Sequence, residues 1–322
     1  MSPVTLVDKT ATTYVAGHRG LAGSAIWRRL AADGWTDLVG RTRAEVDLLD
    51  RAAVDAFFDA VRPTTVVVAA AKVGGIGANV AQPYEFLSEN LRLQVNLLDA
   101  ALRTGVDRLL FLGSSCAYPR LAPQPMSEDY LLDGRLEPTN EGYALAKVAG
   151  LVQVAAARHQ YGRRWISALP CNLYGPGDDF STGRSHVLAA MVRRYVEAHE
   201  QGLEQIVCWG SGRPRREFMH VDDLADAVAF LLEHYDDDPP VNVGTGCDLT
   251  VAEIAATVAG AVGYRGTTGW DTTKPDGMPR KLLDVSRLTG LGWRASVPFA
   301  DGVASTVEWY RSHRDSSPPR GR

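Results

Sequence analysis

Two short stretches of the chain carry side chains that together can reduce a carbonyl group. The first is residues 113–118, Gly-Ser-Ser-Cys-Ala-Tyr, and the second is residues 142–147, Gly-Tyr-Ala-Leu-Ala-Lys. Ser114 can hydrogen-bond a substrate oxygen and polarise it. Tyr143 can protonate the resulting alkoxide if its phenol pKa falls from about 10 towards neutrality. Lys147 follows one helical turn later, where its ammonium would favour the phenolate, so these residues predict a nicotinamide-dependent reduction.

The spacing of Tyr143 and Lys147 alone is a weak signal, because such a pair is common on exposed amphipathic helices. Ser114 closes the fourth predicted strand, and a glycine-rich turn stands near the chain start. The combination of all these features makes the chance interpretation remote.

Cys116 indicates a second reaction at the same place. It lies two residues beyond Ser114, in a loop that we expect to line the pocket. A lone cysteine near a strand end is most often a small buried apolar side chain. An activated thiolate could instead remove a proton from a carbon next to a ketone, because the carbonyl delocalises the carbanion. His186 could be the acid partner on the opposite face of a sugar, although by residue type alone it is more often a helix-start histidine.

The glycine-rich turn spans residues 17–23 and has glycine at Gly17, Gly20 and Gly23, with Leu21 between the last two. It directly follows the first predicted strand and opens the first helix. Glycines are needed where the turn is tight and the backbone approaches a pyrophosphate, whose charge the helix N-terminus stabilises. The turn therefore predicts a dinucleotide site rather than a plain strand-to-helix connection.

Basic residues near this turn favour NADP over NAD. The second strand ends next to Arg41 and Arg43, where an NAD-specific domain would place an acid for the ribose hydroxyls, and Arg19 lies in the glycine turn itself. The alternative is that Arg41 and Arg43 are solvated loop charges. Leu48, next to Asp47, lies where an adenine could be bracketed.

Size and charge exclude several classes of protein. The chain has 322 residues and 45% hydrophobic content, enough for one large α/β domain with a smaller lobe. The formal charge of −4 offers no basic field for nucleic acid. The four cysteines show neither C-x-x-C nor metal-ligand spacing, so we expect free thiols, no metal and a reducing cytoplasm. We read no signal peptide and no membrane span.

The elements that must position these residues alternate between short apolar runs and helical patterns. That alternation predicts an α/β protein with a doubly wound parallel (Rossmann) sheet and a smaller C-terminal substrate lobe. We assign the NADP-binding domain to residues 1–174, completed by about 213–245, and the substrate lobe to 175–212 and 246–322. The predicted strands are 12–16, 38–40, 65–70, 108–114, 165–169, 206–209 and 241–243, and the predicted helices are 22–33, 83–103, 139–161 and 222–233.

Several motifs resemble the extended short-chain dehydrogenase/reductase superfamily, and within it the family of GDP-4-keto-6-deoxy-D-mannose 3,5-epimerase/4-reductases. They cover nearly the whole chain, and the Ser-Ser-Cys combination and the last segment are specific to the narrower family. The matching segments are residues 16–20, 69–75, 112–119, 136–140, 143–147, 172–176, 185–187, 209–212, 216–223, 242–246 and 274–284.

The resemblance implies roles for individual residues. Ser114, Tyr143 and Lys147 would form the reductase triad, and Cys116 and His186 the base and acid of epimerisation. On the cofactor side it implies Leu112, Pro170, Asn172, Leu173 and His186, beside Ser114 and Lys147. On the substrate side it implies Asn140 at the sugar and Arg194, Trp209, Arg216 and Lys281 at the GDP part, where a diphosphate suits basic side chains and a base suits an indole.

The resemblance also implies an activity: epimerisation at C3 and C5 of GDP-4-keto-6-deoxy-D-mannose, then NADPH-dependent reduction at C4 to GDP-L-fucose. The alternative is a related enzyme acting on another GDP-keto-deoxy or heptose sugar. A homodimer through a four-helix bundle is implied as well, built from the helices predicted at 83–103 and 139–161. Three departures from the expected pattern are Gly142 in place of proline, Cys171 in place of threonine, and threonines in residues 266–269 where a basic residue is expected.

Overall fold

The computed structural model describes residues 6–183, 185–274 and 276–314. The ends of the predicted ranges 1–174 and 246–322, residue 184 in the range 175–212 and residue 275 in the motif 274–284 lie outside the described residues. The predicted division into a cofactor domain and a substrate lobe stays a prediction.

The described residues form strands and helices in close alternation. The strands are β1 Thr13–Ala16, β2 Leu38–Val39, β3 Thr65–Val68, β4 Arg108–Leu112, β5 Arg164–Pro170, β6 Asn172–Tyr174, β7 Gln205–Trp209, β8 Arg215–Arg216, β9 Phe218–His220, β10 Val241–Val243, β11 Leu249–Thr250, β12 Thr267–Asp271 and β13 Arg280–Lys281. The α-helices are α1 Leu21–Ala32, α2 Arg51–Val61, α3 Ile76–Ala81, α4 Pro83–Thr104, α5 Glu141–Tyr161, α6 Val187–Glu200, α7 Val221–His234, α8 Val251–Val262, α9 Ser286–Gly290 and α10 Phe299–His313. Short 3₁₀ turns occupy Ser115–Ala117, Glu128–Tyr130 and Pro138–Asn140.

A six-stranded parallel sheet forms the centre of the molecule, in the order β10-β5-β4-β3-β1-β2. The inner strands β1, β3 and β4 are buried along their whole length, as expected for strands covered by helices on both faces. Chain order reverses between β1 and β3, and ligands of such sheets bind at the carboxyl ends of the strands beside that point. The predicted α/β doubly wound fold is confirmed.

One predicted strand does not belong to this sheet. The run at 206–209 forms β7, which pairs in parallel with β12 in a separate two-stranded sheet. Its side chains alternate between buried and exposed, with Ile206 and Cys208 inside and Val207 and Trp209 outside. Alternation of this kind is typical of a half-buried strand, whereas a central parallel strand is apolar throughout. The expectation that all seven runs share one sheet was therefore wrong.

A second hydrophobic core lies away from the central sheet. It is formed by side chains such as Val192 of α6, Val258 of α8 and Val307 of α10, all nearly inaccessible to solvent. Beside it, β11, β8 and β13 form a three-stranded sheet. The basic pairs Arg215–Arg216 and Arg280–Lys281 thus lie side by side on β8 and β13.

Helices α4 and α5 pack closely against each other beside the sheet. The Gln94 side chain donates from its Nε2 atom to the Ala146 carbonyl at 2.7 Å and joins the two helices. A Cβ atom at Gly142 would lie 2.7 Å from the Pro83 carbonyl oxygen, so proline or any other side chain would force the helices apart. This contact gives the departure at Gly142 a physical reason.

Among the helices that the structure describes, none is both long enough and apolar enough to cross a membrane.

Candidate active site

The glycine turn packs too tightly for side chains. Gly17 has a φ of +85°, and a Cβ atom there would lie 2.8 Å from the Ala70 backbone. A Cβ atom at Gly23 would lie 2.1 Å from the Gly17 carbonyl oxygen. Gly20 begins α1 without a side-chain cap and donates its own N–H to the Gly17 oxygen at 2.8 Å. The first amides of α1, from Leu21 onward, therefore have no competing cap, and α1 has no acidic side chain in its first turn.

This turn fits the pyrophosphate of a dinucleotide. Uncapped amides at a helix N-terminus bind anions, and the absence of Cβ atoms leaves the backbone accessible at close range. The turn joins the carboxyl end of β1 to α1, beside the point where the strand order reverses.

The three arginines predicted to favour a 2′-phosphate lie around the end of β2. Arg41 donates to the Gly40 carbonyl at 2.8 Å, and Arg43 lies 3.4 Å from a carboxylate oxygen of Asp47. Burial lowers the pKa of His18, and the charges of Arg19 and Arg41 add to this effect, so both arginines lie near the glycine turn.

Leu48 is only partly exposed and follows this cluster. Its carbonyl accepts a hydrogen bond from the Asn96 side chain at 2.9 Å. Leu48 therefore lies between the arginine cluster and α4, with its backbone held by that helix.

The three predicted reductase residues come together at the carboxyl end of β4. Ser114 follows this strand, and its hydroxyl forms a hydrogen bond with the phenol of Tyr143 on α5. The Lys147 ammonium is buried and donates to the Leu112 carbonyl at 2.7 Å. It lies 6.0 Å from the centre of the Tyr143 ring and 4.9 Å from that of Phe111.

The electrostatics of this group differ from the expectation. Burial raises the pKa of Tyr143, and the neighbouring Cys116 raises it further, while only the hydrogen bond with Ser114 acts in the opposite direction. The predicted fall towards neutrality was wrong, since Lys147 directs its charge at the Leu112 carbonyl. Burial also lowers the pKa of Lys147 to about 8, so the ammonium is still charged at neutral pH.

Cys116 lies in the 3₁₀ turn after Ser114 and is half-buried. Its sulfur accepts hydrogen bonds from Asn140 Nδ2 at 3.2 Å and from Lys281 Nζ at 3.4 Å. Burial opposes ionisation and is the largest single influence on the pKa of Cys116. The Lys281 charge and the hydrogen bonds of Ser114, Lys281 and Asn140 nevertheless outweigh it and lower that pKa overall. The site thus contains a thiol that ionises readily beside a carbonyl-reducing group.

His186 begins α6 and keeps part of its ring in contact with solvent. Desolvation lowers its pKa, and the carboxylate of Asp179 acts in the opposite direction. A lowered pKa makes the imidazolium a stronger acid and the neutral ring the more populated form near pH 7, so His186 would have to take up a proton before it could donate one.

The residues predicted to bind the GDP part lie on or beside strands β7 and β8, outside the central sheet. Trp209 is 75% exposed at the end of β7, with the Lys274 ammonium 5.9 Å from its ring centre. Arg194 of α6 donates at 2.7 Å to the carbonyl of Val207, which lies on β7 like Trp209. Arg216, on β8, is largely desolvated, which lowers its pKa. These cations and the open indole form a surface suited to a nucleoside diphosphate.

Sequence reasoning missed Glu217, which organises the middle of the site. This buried carboxylate accepts backbone hydrogen bonds from Thr245 at 2.7 Å, Gly246 at 2.8 Å and Leu283 at 2.9 Å. Its own carbonyl accepts from the Asn172 side chain at 2.8 Å, next to Leu173 and beyond Pro170 at the end of β5. The only signal in the sequence was an acidic residue within an apolar strand pattern, Arg-Glu-Phe-Met-His.

Comparison with known proteins agrees with this geometry. Residues 13–244 match the NAD dependent epimerase/dehydratase family. The chain belongs to this family, and it is an enzyme that takes a nicotinamide cofactor.

Three relatives define its neighbourhood more closely. The chain is 53% identical to a probable GDP-L-fucose synthase of Oryza sativa subsp. japonica, over 95% of its own length and 93% of that protein. It is 49% identical to the GDP-L-fucose synthase of Escherichia coli K12, over 94% and 97% of the two chains. A GDP-mannoheptose C4 reductase from Campylobacter jejuni, solved with NADP bound, superposes with a TM-score of 0.86 at 32% identity, over 95% and 99%.

Proposed function

We propose that this enzyme epimerises C3 and C5 of GDP-4-keto-6-deoxy-D-mannose and then reduces C4, forming GDP-L-fucose. The observation that carries the proposal is the position of the Cys116 thiol beside Ser114 and Tyr143. A reductase needs only the serine, the tyrosine and the lysine. A thiol with two N–H donors on its sulfur supplies the base that epimerisation needs as well. The names of the rice and Escherichia coli relatives agree with this pair of reactions.

In the epimerisation, the Cys116 thiolate removes the proton from the carbon next to the C4 carbonyl. The electron pair of the broken C–H bond moves into the carbonyl as an enolate, which the Ser114 hydroxyl stabilises by hydrogen bonding. The His186 imidazolium then delivers a proton to the opposite face of the same carbon. Cys116 then releases its proton to solvent and His186 takes one up from solvent, so that the same two transfers at the other carbon next to the ketone invert both centres.

In the reduction, Tyr143 protonates the oxygen at C4. The bound nicotinamide supplies the hydride to the carbon. Because burial raises the pKa of Tyr143, its phenol is protonated throughout the neutral range and is ready to donate. The Lys147 ammonium makes its hydrogen bond to the Leu112 carbonyl and lies 6.0 Å from the centre of the Tyr143 ring, so it would act on the developing alkoxide only through space and not by a hydrogen bond to the phenol.

NADPH is the proposed form of the cofactor. Arg19 and Arg41 lie near His18 of the glycine turn, and Arg43, which follows β2 and contacts Asp47, is a further cation. Three guanidinium groups suit a 2′-phosphate better than a bare ribose. The Campylobacter jejuni relative was solved with NADP, which supports the same choice.

The proposal is tested by the product formed in D₂O from GDP-4-keto-6-deoxy-D-mannose and NADPH. We expect NMR to show deuterium at C3 and C5 and GDP-L-fucose as the product, with one NADPH oxidised per molecule. Tyr143→Phe should keep the deuterium exchange and lose the oxidation of NADPH. Oxidation of NADPH without deuterium exchange at C3 and C5 would mean that the protein is only a C4 reductase.

A second candidate is reduction of a GDP-heptose at C4. The Campylobacter jejuni reductase, which superposes over almost the whole chain, favours it. The same assay with GDP-4-keto-heptose substrates separates the two, since we expect slower NADPH oxidation with these sugars.

We further propose that the protein is a homodimer, with α4 and α5 of each copy forming a four-helix bundle. Tyr84 is 74% exposed on α4, and Leu145 and Val152 are about half exposed on α5, which leaves an apolar surface beside the pair. Light scattering should give twice the chain mass for the protein and the single mass for Val152→Glu. The four free thiols favour the cytoplasm as its compartment.

A further inference from the structure

We propose that Lys281 is a positioning residue that keeps Cys116 in its thiolate form before any substrate binds. This inference rests on the proposed role of Cys116 as the base. It assigns Lys281 to the thiol itself, in addition to any contact with the diphosphate of the substrate.

The contacts around the sulfur favour the ionised form. Lys281 Nζ donates at 3.4 Å and Asn140 Nδ2 at 3.2 Å, so two N–H groups converge on one sulfur atom. A neutral thiol is a weak acceptor that also carries its own hydrogen, whereas a thiolate accepts both donors without competition. The charged donor, Lys281, stabilises the thiolate electrostatically, and the neutral donor, Asn140, adds a second hydrogen bond that orients the sulfur.

Strand β13 places the side chains of Arg280 and Lys281 on opposite faces, with Lys281 on the face of the thiol. Arg280 pairs with Asp248, which also binds Arg215 on the adjacent strand β8. The side chains of successive strand residues point to opposite faces. Arg280 and Arg215 are therefore balanced by one carboxylate on one face, while Lys281 is directed to the face that contains Cys116.

The backbone on both sides of Lys281 is fixed by hydrogen bonds. Glu217 N–H donates to the Lys281 carbonyl at 3.2 Å, and Leu283 N–H donates to the Glu217 carboxylate at 2.9 Å. Leu282 N–H donates to the Gln124 side chain at 2.8 Å, in the loop that follows the thiol. The ammonium is thus held near the sulfur by a rigid strand and not only by its own flexible chain.

The groups that contact the sulfur favour its ionised form, and burial opposes it. Lys281 comes from β13, Asn140 and Tyr143 from the start of α5, and Ser114 from the end of β4. The charge of Lys281 is the largest influence that lowers the pKa of Cys116, and Tyr143 is affected by Cys116 in turn. Removing the charge of Lys281 leaves burial to dominate, which would raise the pKa of the thiol.

The test is the pH dependence of alkylation of Cys116 by iodoacetamide in the protein without substrate or NADPH. Mass spectrometry of the Cys116 peptide gives the rate, and the exposed Cys247 of the same chain is an internal reference. We expect Lys281→Met to move the midpoint upward by about one pH unit or more, which lowers the rate by ~10-fold at any pH below both midpoints. Lys281→Arg, which keeps the charge, should restore most of the rate.

Arg280→Met is the matched control, because it removes a neighbouring positive charge that is directed at Asp248. We expect its midpoint to equal that of the unaltered protein. Equal midpoints for Lys281→Met and Arg280→Met, with a higher KM for Lys281→Met, would overturn the inference and leave Lys281 as a ligand of the diphosphate. Circular dichroism of each variant separates this result from misfolding, and Lys281→Arg gives the answer if Lys281→Met does not fold.

This experiment is independent of the proposed reaction. A Lys281→Met midpoint that does not move refutes the role of Lys281 even if the protein forms GDP-L-fucose. Conversely, failure to exchange deuterium in the unaltered protein refutes the epimerase function whatever the thiol titration shows.

Discussion

Cys116 and Cys171 follow neighbouring strands of the same sheet but differ in their chemistry. Cys116 comes after β4 and Cys171 directly after β5, and β4 and β5 are paired in the central sheet. The pKa of Cys116 is lowered, whereas burial and then the Glu217 carboxylate raise that of Cys171 well above its ordinary value. Burial opposes ionisation at both positions, so the neighbours decide the outcome.

The difference comes from residues outside the central sheet. Cys116 receives a cation from β13, and Cys171 lies nearer the buried anion that holds β13 in place. Both cysteines lie at the carboxyl edge of the sheet, but only at Cys116 do the charge of Lys281 from β13 and the hydrogen bonds to the sulfur outweigh burial, which suits Cys116 to the proposed role of base.

The largest expected effect separates the two cysteines by activity. Cys116→Ser should lower the rate of deuterium entry at C3 and C5 by ~10²–10⁴-fold, the usual contribution of a general base. Cys171→Ser should leave this rate within about twofold, since general-base catalysis is lost only with the base itself. The measurement is NMR in D₂O, and binding of NADPH to Cys116→Ser serves as the control for folding. Equal rates for the two variants would remove Cys116 from the mechanism.

Removing the anion beside Cys171 should mainly affect stability. Glu217→Gln replaces an acceptor of three backbone N–H groups by an amide with only one oxygen, so buried donors lose partners. We expect the free energy of unfolding in urea to fall by about 2–3 kcal/mol. Glu233→Gln is the control, because it breaks only the part-exposed ion pair with Lys9 and should cost under about 1 kcal/mol. A similar loss in both variants would mean that Glu217 does not organise the site.

The two half-reactions should respond differently to alkaline pH. Lys147 has a pKa of about 8, so its ammonium is charged below that pH and loses its proton as the pH rises through it. The pKa of Cys116 is lowered, and raising the pH can only increase the fraction of its thiolate. We expect the NADPH oxidation step to slow by about tenfold for each pH unit above 8, while deuterium exchange holds. Stopped-flow absorbance and NMR measure the two rates, and a parallel decline would contradict separate charges for the two steps.

The smallest expected effect comes from Cys171→Thr. Cys171 is buried, and its thiol lies 3.7 Å from the Asn172 carbonyl, to which a hydroxyl could also donate. The free energy of unfolding, measured in urea, should therefore change by less than about 1 kcal/mol. If the two cysteines differed by their position at the sheet edge and not by charge, Cys116→Thr would be expected to lose more free energy of unfolding than Cys171→Thr.

Much of this protein can be predicted from local patterns. Continuous apolar runs predicted the strands of the central sheet, and the glycine spacing at residues 17–23 predicted the turn after β1. Ser114, Tyr143 and Lys147 could be grouped because a strand end and a helical repeat of four residues bring them together. In each case the physical cause lies within a few residues of the chain, in backbone sterics or in periodic burial.

Long-range contacts decided the rest. Lys281 reaches Cys116 across 165 positions, and Glu217, between β8 and β9, accepts a hydrogen bond from the Leu283 amide just after β13. The apolar run at β7 predicted a central strand, but β7 pairs with β12 in another sheet and its side chains alternate in exposure. The pKa of Tyr143 rises because burial outweighs a lysine whose charge is directed elsewhere. Residue types and their spacing are properties of the chain, whereas desolvation and charge at a site are sums over neighbours that only folding brings together.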